Sequence, residues 1–571
     1  MSRILLSALL LVLCFVVPAA AQQPVDPGVR PVTRTFAITN ARVYQAPGRV
    51  LERATVIVRE GRIEAVGTNV TAPFDAEIIE GDSLFVYAGF IDALSFAGLS
   101  FPAIDTNERV PVPDTPPRAR AGILPERRAI DHLDAAAAGV DGLRRAGFTV
   151  AHVAPSSGML PGQGAVILLS GEAAEEVALR PIGGLVARWQ GASGVRPATP
   201  MGVAAMFRQL YRRSAEAAEV QQRFGRDAAA MRPTFDPALD ALQASRAGDQ
   251  PVYFVVSDLP EAQRALALGD ELGLRIVLAG IPEAPLLADR LARDGRAVVL
   301  PLVLPKTMEV DTTDTRDPDQ LLADHIAGEI FRTERRVVSY RDVPEEPQTF
   351  NDRRRAAVLR AERNARTLHA AGVPLAFGTL DAPAGDLRAT LRRIVEAGLP
   401  ADAALAALTT TPAELLGISN VTGTVDAGRM ANLVLTDGDY FSEDTRVRYV
   451  FVEGQRFEIE QQTDAAGDPD AVVDATGRWS FTINTPEAAY SGTMTLDGPA
   501  DALTGSMNVT GLGNLSLRDL RLEGNRLTAL VPDTPGGPAN LSVIIADDSM
   551  TGELTIAGLG SVPFTANRQP G

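Results

Sequence analysis

The chain is poor in the side chains that most often carry chemistry. Its 571 residues include one cysteine, four histidines and two tryptophans, and among 54 basic residues only Lys306 is a lysine. The one cysteine, Cys14, lies inside the apolar run Ile4 to Val17. A mature chain starting beyond that run has no disulfide framework and no thiol nucleophile. Trp189 and Trp479 are too few to build an aromatic platform for sugars. The preference for arginine, alongside much Ala, Gly and Pro, reads as the composition of a GC-rich genome rather than as an arginine-based function. Positive charge is also outweighed: the formal net charge is -17, which disfavours nucleic acid and anionic membranes and favours solubility.

What is present begins with an export signal. Arg3 supplies the positive start, Ile4 to Val17 the apolar core, and Ala19-Ala20-Ala21 a small-residue cleavage site before Gln22. The apolar run is shorter than the roughly 20 residues of a membrane span. The expectation is a periplasmic or extracellular protein with no membrane span after cleavage. About 550 remaining residues suffice for two or three domains with a large core.

Residues 22–34 read as a linker. Strands are expected at 35–43, 55–59, 62–67 and 76–80, with Glu60-Gly61 as a hairpin turn. Further strands are expected at 447–452 and 456–459. Between these sets, short apolar strands (148–154, 252–257, 274–279, 297–302, 373–378) alternate with helical runs such as 259–272, 284–293 and 352–370, the pattern of βα units. After a linker near 461–472, residues 473–571 change character. Apolar residues alternate through Trp479, Phe481 and Ile483, Leu541, Val543 and Ile545, and Val562 and Phe564. About eight short strands of this kind make an antiparallel meander, either a small barrel or a two-sheet sandwich.

Three stretches carry a family likeness. They are "ITNARVY", "IVREGRIEAVG" and "GTVDAGRMANLVLTDGD", to which Gly89-Phe90-Ile91-Asp92 and the run 404–417 add support. Together they resemble the amidohydrolase superfamily over about residues 35–460, and "GILPERRA" and "GMLPGQGAVILLSGE" resemble its imidazolonepropionase-like branch. The resemblance implies a distorted (β/α)8 barrel over 86–422 and a composite β-sandwich formed by 35–85 and 423–460. It also implies hydrolysis of non-peptide carbon–nitrogen bonds at a binuclear metal centre held by a His-x-His pair, a bridging lysine, two more histidines and an aspartate.

This chain departs from that pattern at almost every ligand. Leu94 and Phe96 stand where the His-x-His pair would be, Ser257 and Ala279 where histidines end two strands, and Lys306 lies too far downstream to be the bridge. The last strand reads Gly378-Thr379-Leu380-Asp381, with the aspartate displaced by one residue. His132, His325 and His369 fall in helical runs. His152 lies at the C-terminal end of a barrel strand, where barrel active sites assemble. The candidate catalytic residues are therefore Asp381, His152 and Asp92, the last also able to serve as a hydrogen-bonded strand clamp. No metal ligand and no cofactor is expected. Ser156-Ser157-Gly158 lacks the glycine pattern of a nucleophile elbow, and the glycines of "PGQGA" read as a tight turn rather than a phosphate loop.

Three readings follow. The first is a metal-free protein of this fold binding a small molecule, a peptide or an envelope partner, with homo-oligomerisation left open. The second is a divergent hydrolase of cyclic amides or dipeptides, using zinc or another divalent metal. The third is an assembly role carried by the C-terminal β domain.

Overall fold

The computed structural model describes residues 35–569 apart from 103–109, 306–346 (save 323), 460–470 and scattered shorter loop stretches. The expected export signal over 1–21, the lead-in 22–34, Lys306, His325 and most of the linker lie outside the described residues. The first layer is built from β1 (Phe36–Ala46), β2 (Arg49–Arg59), β3 (Arg62–Gly67), β4 (Glu77–Glu80) and β5 (Phe85–Ala88). Between β2 and β3, Glu60 (φ 49°) and Gly61 (φ 74°) both take the left-handed conformation. That geometry matches the twist of the flanking strands, and the expected hairpin forms.

Eight strands form the central sheet: β6 (Phe90–Ser95), β7 (Phe148–Val153), β8 (Gly162–Leu168), β9 (Ala178–Arg188), β10 (Val252–Val255), β11 (Ile276–Ala279), β12 (Val298–Pro301) and β13 (Leu375–Gly378). Leu380 closes it into a barrel, donating its N–H to Leu94 O at 2.9 Å and accepting from Phe96 N at 3.2 Å. Most of these strands are buried on both faces, as helices outside and side chains inside require. One strand breaks the βα alternation. β8 runs antiparallel to both β7 and β9, so the stretch read as a tight turn at Gly162 and Gly164 is instead the first half of a strand. The short connections on either side of β8 suit antiparallel pairing, whereas a parallel crossover needs a dozen or more residues.

Helices flank the barrel. Pro200–Arg226 begins at a Thr199 cap whose side chain accepts from Gly202 N. Leu259–Leu272 begins at an Asp258 cap and ends at Gly273, whose φ of 68° stops it. The run expected as one helix over 284–293 is a 3-10 turn, Ala284–Leu287, followed by the α-helix Ala288–Arg293. His132 ends the 3-10 helix Ala129–His132 and is half-buried, and His369 lies exposed on the helix Pro347–Ala370.

Past the barrel the chain returns to the first layer. β14 (Leu433–Thr436) pairs antiparallel with β5, and β15 (Val447–Val452) and β16 (Gln455–Glu458) extend the same sheet. Residues from both ends of the sequence thus share one core, including Ile38, Val56, Ile63, Val86, Leu433 and Phe451. The C-terminal strands are β17 (Gly477–Asn484), β18 (Ala489–Asp497), β19 (Thr504–Val509), β20 (Gly513–Glu523), β21 (Arg526–Val531), β22 (Ala539–Ala546), β23 (Ser549–Ile556) and β24 (Gly560–Arg568). Each pairs antiparallel with the next and β24 returns to β17, a closed barrel rather than a sandwich. The fold is thus a TIM-type barrel with a flanking β-sandwich and a C-terminal all-β barrel.

Candidate active site at the barrel mouth

β6 ends in a knot of buried polar groups. Asp92 Oδ1 accepts from Thr379 N at 2.9 Å and Leu94 N at 3.2 Å, and Asp92 Oδ2 accepts from Thr379 Oγ1 at 2.5 Å. Ser95 Oγ lies 2.9 Å from Thr379 Oγ1 and completes the chain. All three side chains are buried. Burial pushes the Asp92 carboxyl up to about 7, against the pull of the hydrogen bonds it accepts. Asp92 thus ties the first barrel strand to the last, which is the clamp role weighed from the sequence.

His152 sits on β7, wholly buried. Its Nδ1 lies 3.1 Å from Ala93 O, and because a carbonyl only accepts, Nδ1 carries the proton. Nε2 is left as a bare acceptor with no partner among the described residues, and the ring packs at 4.6 Å, centroid to centroid, against Tyr253, whose hydroxyl likewise has no partner among them. Burial holds the imidazole down to about 4. Glycines make the room. A Cβ at Gly183 would stand 2.8 Å from the ring, and one at Gly164 would collide with Nε2.

Asp381 is exposed, in the turn beyond Leu380, whose φ of 49° redirects the chain. No hydrogen bond or ion pair among the described residues joins it to His152 or Asp92. The three candidates therefore occupy three separate settings.

The metal positions of the resemblance hold side chains that cannot ligate or are engaged elsewhere. Leu94 is 0% exposed and Ala279 is buried. Phe96 is half-buried, not enclosed as Leu94 is, with Arg188 over its ring at 6.0 Å. Ser257 donates its N–H and its hydroxyl to Glu261, both at 2.9 Å. Among the described residues no three His, Cys, Asp or Glu side chains gather as a metal site would require. The donor set does not fit a binuclear centre.

The mouth is nonetheless hollow. At the C-terminal ends of β7, β9 and β10 an open cleft of about 370 Å³ is lined by Ser156, Arg188, Gln190, Val256, Ser257 and Glu261, among others. Arg188, the last residue of β9, reaches across to donate to Ser156 O. Burial lowers its pKa, while Asp381 and Glu261, within electrostatic range, oppose that.

Known proteins agree with this architecture. The amidohydrolase family model matches residues 334–457, of which the part from residue 347 onward closes the barrel and returns to the sandwich. That segment resembles the amidohydrolase family. An amidohydrolase from Thermotoga maritima MSB8 superposes with a TM-score of 0.59 at 19% identity, covering 74% of this chain and 100% of its own. A prolidase solved with N-methylphosphonate-L-proline (TM-score 0.42, 18% identity, 74% and 99% covered) and molinate hydrolase (0.42, 16%, 76% and 97%) were also matched. At these identities the likeness shows the fold alone. No curated protein matches the chain.

Arg188 is the feature that a residue-by-residue reading of the sequence passes over. One arginine among so many carries no signal by type. Its place does: the apolar run Leu185-Val186-Ala187 ends in a charge at the C-terminal end of a barrel strand.

Proposed function

We propose that this chain is an exported amidohydrolase-fold protein whose barrel mouth binds a small molecule or peptide without the family's binuclear metal centre. The observation that carries the reading is Leu94, wholly buried and apolar at the position of the first metal-binding histidine, with Phe96 two residues on. Hydrolysis of a carbon–nitrogen bond needs hydroxide at neutral pH. A bound metal supplies it by lowering the pKa of water from ~15.7 to roughly 7, about 12 kcal/mol that side chains must otherwise find. His152, held down to about 4, is a weak base, and its protonated nitrogen is spent on Ala93 O. Asp92 is committed to Thr379 and Leu94.

The test is metal analysis of purified, untagged protein beside assays on cyclic amides and dipeptides with and without chelator. The expected result is substoichiometric metal and no chelator-sensitive hydrolysis. Stoichiometric zinc, iron or manganese, lost together with activity on chelation, would replace this reading with that of a divergent metallohydrolase. Export is tested separately, by finding whether the chain leaves the cytoplasm with its first 21 residues removed.

A further inference from the structure

We propose that Arg188 anchors a small monocarboxylate at the barrel mouth. The proposal rests on the metal-free reading above and adds the chemical class of the ligand. Arg188 closes β9 in register with Val255 of β10. Its side chain spans the mouth, touching Ser156 O after β7 and lying over Phe96 after β6, with Asp381 after β13 and Glu261 after β10 in electrostatic range. The guanidinium thus lies among the ends of β6, β7 and β10, in the wall of the cleft.

It is also unpaired. Among the described residues Arg188 makes that single side-chain hydrogen bond and no ion pair, and the Glu261 carboxylate is already engaged by Ser257. A half-buried cation whose nearby carboxylates do not pair with it directly remains poorly compensated. An entering carboxylate would take the free N–H groups of the planar fork, a match a point charge cannot copy. Asp381 and Glu261 disfavour a second negative charge on the ligand. A cleft of about 370 Å³, with Val255 and Val256 as an apolar wall, suits a molecule of amino-acid to dipeptide size.

The experiment uses the full chain, chelator-treated, with its metal content measured. Benzoate and N-acetylglycine are titrated beside their neutral counterparts benzamide and N-acetylglycinamide, following the Arg188 Nε–H resonance in ¹⁵N-arginine-labelled protein and, for every variant, heats of binding. At least one carboxylate should saturate in the millimolar range or tighter, and its amide should bind about tenfold or more weakly. Arg188→Gln should weaken the carboxylate about tenfold to a hundredfold, Arg188→Lys less, and the distant control Arg526→Gln not at all. Melting curves confirm that each variant folds, and Arg188→Lys keeps the test open if the glutamine variant does not. Saturation by neither carboxylate, equal binding of the amides, or indifference to both Arg188 changes would overturn the proposal. If the protein carries stoichiometric metal and the carboxylate binds only before chelation, the metal-free reading fails instead.

Discussion

Two buried titratable residues pull stability in opposite directions with pH. Asp92 is pushed up to about 7 in the fold against an ordinary 3.8, so between those values the folded chain holds a proton that the unfolded chain has lost. Stability from this group therefore falls as pH rises through that window. His152 is held down to about 4 against an ordinary 6.5, so between those values the unfolded chain holds the extra proton, and stability falls as pH drops. From about pH 4 to 6.5 the two slopes, each approaching about 1.4 kcal/mol per pH unit, offset one another. Asp92→Asn should leave stability rising with pH across that range, and His152→Gln should leave it falling. Urea unfolding followed by Trp189 fluorescence, with Trp479→Phe in every background, reads this directly. Parallel pH profiles for all three proteins would refute the assignment. At the neighbouring position, Leu94→His with Phe96→His should cost about 2–5 kcal/mol, because an imidazole replaces packed apolar volume in a site that offers it no partner. Zinc titration of that double variant should show no tight site, since the other ligands are missing too.

At the scale of elements, the niche around His152 explains why β8 and β9 are rich in glycine. Gly164 and Gly183 lie on adjacent strands and both face the imidazole. Gly183→Ala should destabilise by about 1–3 kcal/mol through overcrowding. Combining it with His152→Ala should recover part of that loss, a coupling that a double-mutant cycle in denaturant measures; strict additivity would mean that the glycine serves something else. The same niche marks where sequence reading stops. β1 to β3, β15 and the helix Leu259–Leu272 were legible because alternation, turn chemistry and caps are local signals. Antiparallel β8 was not: "GQGAVIL" is too short and too glycine-rich to declare its direction, which pairing with β7 and β9 decides. Asp92 was legible as a strand clamp from its place in the motif, whereas Arg188 becomes visible only when four strand ends converge on it.

At the scale of the whole molecule, the C-terminal barrel has a core of its own. Trp479, Phe481, Met494, Val543 and Phe564, among others, form a cluster distinct from that of the TIM-type barrel and that of the sandwich. Small residues let its strands close. A Cβ at Gly492 or Gly552 would run into the backbone of Asn508 or Ser542 on the adjoining strand. Its outward positions are polar along most strands, as at Arg478, Ser480, Asn508, Asn540 and Thr551, and among the described residues none of the large exposed apolar side chains lies in it. A membrane barrel needs the reverse, an outward apolar band. With eight strands the interior is narrow enough for side chains to fill. Closure leaves no open edge that would need a neighbour to cover it. Residues 473–571 alone should therefore fold as a soluble monomer and unfold cooperatively. Trp479, whose Nε1 donates to Ala475 O at 3.0 Å beneath the Arg568 guanidinium, supplies the fluorescence signal. The full chain should then show two separable transitions in urea, one reported by Trp189 and one by Trp479. An isolated fragment that is molten, or a single coincident transition in the full chain, would show that this barrel depends on the rest of the molecule for its stability.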